Sequence, residues 1–308
     1  MDSVPYAFCE DVLERLSKEN LDTMADDLSG QWRSAAQRFL EKRRSFYIII
    51  SKDREGLFYT VTSKPWYIEN DPHSHEEFLS MDRRYIEVCH TSIYSNPRQL
   101  DARKFRCSKK DMVRRAVPFL TLRMRPDSPL FFMSECPKEF TLECLDMFRR
   151  CFSFGELELV YVGPESEEFL GTQLKTNPFL CSLTLCCWPH TETTEQLILT
   201  FLNSKRKRNL NMAQFSDIQS PPKVTIRIVK AAVDSWAKGG ERTALTVYGN
   251  IGVSREEILS IPVPDNVTKR EEEAGEEGDF RVRWTKEDGS SLEYDVTISS
   301  DRFSLPFY

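Results

Sequence analysis

The sequence predicts an α+β protein: a small N-terminal three-helix unit, then an irregular α/β array, then a C-terminal β-hairpin. Three observations carry this. Apolar residues recur at helical spacing through about residue 45, and the period then switches to two. From about residue 117 a Leu-x-apolar pattern returns five times with helix-like stretches between the copies.

Composition narrows the function classes. The chain has 308 residues, 40% hydrophobic and 29% charged, which suits a globular fold. Its net charge of −6 gives no nucleic-acid footprint, so no nucleic-acid partner is expected. No apolar run is long enough to span a bilayer, so no membrane partner is expected. Asp2, Glu10 and Asp11 argue against a secretory leader. The nine cysteines form no CxxC pair, and Cys144, Cys181, Cys186 and Cys187 lie in apolar stretches. That is the pattern of reduced core thiols and predicts a cytoplasmic or nuclear protein.

Residues 1–45 form the first predicted domain. Phe8, Val12, Leu13 and Leu16 fall on one face of a first helix. Asn20 is a predicted cap before Leu21, Met24 and Leu28, and a third helix over 31–44 turns Trp32, Ala35, Ala36 and Phe39 inward. Residues 46–116 form the second. Phe46–Ser51 and Leu57–Ser63 are β-rich runs around Gly56, a hairpin signal, and Arg84–Val88 is a short predicted strand in an irregular, proline-broken stretch.

Residues 117–308 form the third. The repeated strands are Leu120-Thr-Leu122, Leu157-Glu-Leu159, Leu183-Thr-Leu185, Leu210-Asn-Met212 and Leu245-Thr-Val247, with starts 37, 26, 27 and 35 residues apart. Helices are predicted over 139–152, 166–174, 193–205, 224–236 and 254–261. Strand and helix alternating at this period mean a parallel array with buried strand leucines. Residues 266–279 read as a charged solvated loop. Phe280–Trp284 and Leu292–Ile298 flank Asp288-Gly289 as a hairpin, and the apolar run 303–308 is expected to pack back.

Enzyme signatures are missing from the sequence: no GxSxG elbow, no P-loop, no HExxH helix. His73 and His75 with Asp71 and Glu76 read as a solvated polar loop, and no metal site or cofactor is expected. The expectation is a non-enzyme. The basic run Lys205, Arg206, Lys207, Arg208 ends a predicted helix, where cations suit the helix C-terminus; it is also the candidate substrate contact.

The spacing Val4-Pro5, Val12-Leu13, Leu16, Leu21 resembles the F-box, in which a Leu-Pro pair is followed by Ile-Leu, Leu and Leu at these offsets. The layout as a whole is similar to the divergent F-box families numerous in nematodes. The resemblance implies a Skp-type adaptor as partner, bound through Val4, Pro5, Phe8, Val12, Leu13, Leu16, Leu21, Leu28 and Trp32, and through it a cullin ligase core. It implies a substrate receptor for an unidentified protein, with no bond chemistry of its own. The alternative is an interaction module whose helices no longer bind the adaptor. The strand array resembles an irregular leucine-rich repeat. Five residues after the strand leucine, where that family places Asn, stand Arg125, Val162, Trp188 and Phe215; only Asn250 fits.

Overall fold

The computed structural model describes residues 4–14, 16, 18–63, 74–95, 104–133, 136–204, 209–213, 223–238, 246–248, 250–273, 280–289 and 291–296. It is a mixed α/β structure and divides into two compact units, Met1–Pro129 and Leu130–Tyr308. The first unit therefore joins the segments 1–45 and 46–116 and adds Val117–Arg123 to them.

The first unit opens with helices α1 (Tyr6–Leu13), α2 (Lys18–Met24) and α3 (Gly30–Lys42), the last two linked by a 3-10 turn at Ala25–Asp27. Asn20 lies inside α2 rather than capping it. Strands β1 (Arg44–Asp53) and β2 (Gly56–Thr62) then pair antiparallel, with Asp53 opposite Gly56 across a two-residue turn. Gly56 sits at φ 124°, where a side chain would strain the backbone. Short α4 (His75–Ser80) is capped by Ser74, whose hydroxyl accepts from the Glu77 amide at 3.1 Å.

A 3-10 turn at Arg83–Tyr85 leads into β3 (Ile86–Ile93), which runs parallel to β1; β4 (Phe105–Arg106) borders β2, so the order is β4-β2-β1-β3. Phe46 and Tyr59 meet Phe78 of α4 at 5.5 and 6.2 Å. Helix α5 (Lys109–Asp111), a π turn at Met112–Ala116 and α6 (Val117–Arg123) follow in continuous succession.

The first predicted repeat strand is corrected here. Leu120 and Leu122 lie in α6, Leu120 fully buried and Leu122 62% exposed. Leu-x-Leu also fits a helix when Ala116, Val117 and Phe119 supply the rest of an apolar face, and these three are buried. Pro118 at the first turn of α6 suits that start.

The other four repeat copies fall in strands of one sheet: β6 (Glu156–Val160), β7 (Ser182–Cys186), β8 (Asn209–Ala213) and β10 (Thr246–Tyr248), with β5 (Pro129–Phe132), which the repeat pattern does not include, bordering β6. The pairs β6–β7, β7–β8 and β8–β10 are parallel. Leu157, Leu183 and Leu210 stand in register and are buried to 1% or less. The residue opposite Leu210 in the last strand is Val247, two beyond Leu245, which lies outside the described residues.

Between the strands run α7 (Lys138–Phe148), α8 (Pro164–Thr176), α9 (Glu192–Leu202) and α10 (Ile226–Lys238), and α11 (Arg255–Leu259) follows the last. They pack on one another in chain order. Phe132 of β5 meets Phe169 of α8 at 5.7 Å. The short strands β9 (Lys223–Val224) and β11 (Asn250–Ile251) form a second parallel pair ahead of α10 and α11.

At the described turns around β6 and β7, backbone groups are satisfied by different side chains, in place of an asparagine ladder. Trp188, at an expected Asn position and fully buried, donates from Nε1 to the Leu159 carbonyl at 2.8 Å. The Val162 amide donates to the Ser166 hydroxyl at 3.0 Å, and Asn177 donates to the Phe154 carbonyl at 2.9 Å.

A three-stranded antiparallel sheet follows: β12 (Val267–Glu273), β13 (Phe280–Lys286) and β14 (Ser291–Val296). Its hairpin matches the expectation. The expected solvated loop at 266–279 is corrected over Val267–Glu273, which is a strand. Its charges are tolerated because each alternate side chain leaves the core: Val267 is buried while Thr268 and Arg270 are exposed. The run 303–308 lies outside the described residues.

Candidate protein-docking surface of the N-terminal helices

The three helices enclose a core of Cys9, Leu13, Leu21, Ala35, Ala36 and Phe39, completed by Tyr85 from the turn before β3. Phe39 and Tyr85 rings lie 5.1 Å apart. Cys9 and Leu13 are one helical step of four apart, so they define the buried face of α1. That orientation corrects the sequence reading. Phe8 is not on the core face; it is 53% exposed, and Val12, four residues on, is half-buried. Leu13 and Leu21, expected to face an adaptor, are 1% and 0% exposed and hold the helices together instead.

The remaining candidates gather around the rim of this core. Val4, Leu16, Leu28 and Trp32 pack against it half-buried. Pro5 is exposed at the cap of α1, with extended backbone at φ −59° and ψ 141°, and its carbonyl accepts from the Phe8 amide at 3.0 Å. Phe8 and Trp32 meet edge to face, centroids 6.1 Å apart. Edge-to-face rings of this kind hold each other's orientation while leaving ring area open to a partner. Met24, 42% exposed at the end of α2, is a further apolar side chain that the motif spacing does not single out. Lys205–Arg208 lie outside the described residues.

Two basic side chains tie this unit to the segments that follow it. Arg43, 6% exposed, donates to the carbonyls of Leu13 at 3.2 Å and Glu14 at 2.9 Å, and also to that of Leu16. The carbonyls of Leu13 and Glu14 lie at the end of α1, where the cation suits the negative end of the helix. Burial pushes the Arg43 guanidinium below its ordinary pKa. Arg123 bridges Glu14 at 2.6 Å and donates to the Arg83 carbonyl at 2.7 Å. A helical unit of about 40 residues buries too little surface to stand alone, and these links supply the support.

Other polar groups in the first unit serve packing. His75, expected in a solvated loop, has a side chain only 15% exposed, and its Nδ1 lies 2.6 Å from the Tyr59 hydroxyl. Burial pushes the Tyr59 hydroxyl up, so it stays protonated, and burial pushes the Cys107 thiol up to about 11. His73 and Asp71 lie outside the described residues. Among the described residues no group of His, Cys, Asp and Glu is placed to hold a metal ion, and no helix is long and apolar enough to cross a membrane. An open cleft of about 420 Å³ is lined by Glu41, Lys42, Arg44, Met81, Asp82, Tyr85 and Ile86. Its mixed charges single out no ligand chemistry.

Comparison of the chain with family models, with curated proteins and with solved structures gives no match.

Proposed function

We propose that the chain is the substrate-receptor subunit of a Skp–cullin–F-box ubiquitin ligase. The N-terminal helices bind a Skp-type adaptor through Pro5, Phe8 and Trp32, flanked by Val4, Val12, Leu16 and Leu28. The α/β array binds a protein substrate, and bond chemistry belongs to the partners. Such a role is carried out in the cytoplasm or nucleus. The observation that supports this reading is the pairing of exposed Phe8 with Trp32 beside the extended Val4-Pro5. Proline ahead of a helix is pre-ordered for a groove and lowers the cost of docking.

A second reading has its own support. Leu13 and Leu21 are core residues, so a plain three-helix cap would need them with no adaptor at all. Pull-down of a purified Skp-type adaptor by the full chain separates the two. Phe8→Asp with Trp32→Ala should weaken capture by about tenfold or more, as loss of aromatic anchors does. Failure of the unsubstituted chain to capture the adaptor would leave the interaction-module reading.

A further inference from the structure

Of the four large hydrophobic side chains exposed to 41% or more among the described residues, Phe8 and Met24 belong to the N-terminal helices; the other two, Val113 and Leu122, lie on the helical stretch 109–123. Lys110, Arg114, Pro118 and Leu122 succeed one another at steps of four, and all are exposed. Steps of four place helix side chains side by side. Val113 flanks Arg114, and the π turn at Met112–Ala116 lies under this part of the ridge. Such turns inside helices are frequently found at functional sites.

The charge of the ridge has one sign. Lys110 and Arg114 have no ion pair among the described residues, and Lys109 is exposed next to them. The neighbouring carboxylates offset this charge only in part, because Glu76 is paired with Arg115 and the charge of Asp111 is shared between Lys110 and Arg115. Glu76 is held by both Arg115 guanidinium nitrogens at 2.9 and 2.7 Å, and Asp111 accepts from the Ser108 hydroxyl at 2.6 Å. A cationic, partly apolar stripe is thus exposed on a chain whose net charge is −6. The packed side of the same stretch explains neither feature, since Met112, Ala116, Val117, Phe119 and Leu120 supply its core contacts.

We infer that the ridge Lys110–Arg114–Leu122, with Val113, is a docking surface for an acidic peptide segment of a partner protein that carries apolar side chains between its carboxylates. The cations steer the segment and set its register. Val113 and Leu122 gain burial on contact. The surface does not involve Phe8 or Trp32, so it stands independently of the adaptor reading.

The test uses the full chain and a displayed library of twelve-residue peptides built from Asp, Glu, Leu, Ile and Phe. Selected peptides should bind the chain in a salt-sensitive way. Binding should fall about tenfold with Arg114→Glu and again with Leu122→Ser. Both positions are exposed, so thermal unfolding of the two variants should match that of the unsubstituted chain. Phosphatidylcholine–phosphatidylserine vesicles form a second arm. No selection above a scrambled basic library overturns the inference. So do selected peptides indifferent to both substitutions, or vesicle binding that the substitutions abolish.

Discussion

Leu13 and Phe8 sit five residues apart on one short helix and have opposite fates. Leu13 lies in the core at 1% exposure, and Phe8 is 53% exposed. Leu13→Ala should cost about 2–5 kcal/mol, as a buried leucine truncation does. Phe8→Ala should change stability by no more than about 0.5 kcal/mol, as exposed substitutions do. Urea unfolding of both variants checks the pair, and equal losses would mean that α1 is rotated from the orientation described. Asp53 gives a second residue-scale expectation. The Arg106 guanidinium, hydrogen-bonded to both carboxylate oxygens at 2.9 Å, and Lys104 at 3.1 Å hold its carboxyl well below the usual range. The folded pKa is lower than the unfolded one. The contribution is therefore present above the ordinary value of 3.8 and lost as pH falls through the lower folded value. Asp53→Asn should weaken the chain at neutral pH and make its stability less sensitive to acid below about pH 4. An acid limb unchanged by Asp53→Asn would mean that the clamp contributes nothing, as exposed ion pairs sometimes do.

At the scale of elements, the repeat was legible where buried and polar residues alternate along the strands and the helices are long. Leu157, Leu183 and Leu210 alternate with half-buried or exposed polar residues in their strands, and they align in the structure as their spacing suggests. Leu120 misled because a Leu-x-Leu triplet is too short to separate a period of two from one of 3.6. The neighbours Ala116, Val117 and Phe119 decide that case. The charged strand Val267–Glu273 was hidden for a different reason: its pairing with β13 supplies the stability, and composition carries no trace of a partner. In the candidate site the spacing of Val4-Pro5, Leu13, Leu16 and Leu21 announced three helices but not their rotation. That depends on Cys9 and on Tyr85, which is remote in sequence. Arg43 was not legible at all, since a buried guanidinium looks like any surface arginine until its carbonyl acceptors are seen. Leu183→Ala should cost about 2–5 kcal/mol by chemical denaturation, because Leu183 lies in register between Leu157 and Leu210. A loss of under about 1 kcal/mol would show that the ladder is not a packed core.

For the whole molecule, the two units carry different kinds of surface. The first presents an aromatic rim around a three-helix core. The second presents half-buried polar residues, Glu156, Glu158, Ser182 and Thr184, along strands whose alternate leucines are buried. Repeat arrays of this type enlarge their exposed surface with each added unit, which suits the recognition of another protein. The proposed division of labour gives the N-terminal helices to an adaptor and the remaining surface to substrate. Affinity purification of the full chain from its own cells, followed by mass spectrometry, tests that division most directly. A Skp-type adaptor and a cullin should co-purify with the unsubstituted chain and be lost with Phe8→Asp plus Trp32→Ala, while the folded yield is unchanged. Recovery of neither from the unsubstituted chain, or undiminished recovery of both with the double variant, would contradict it.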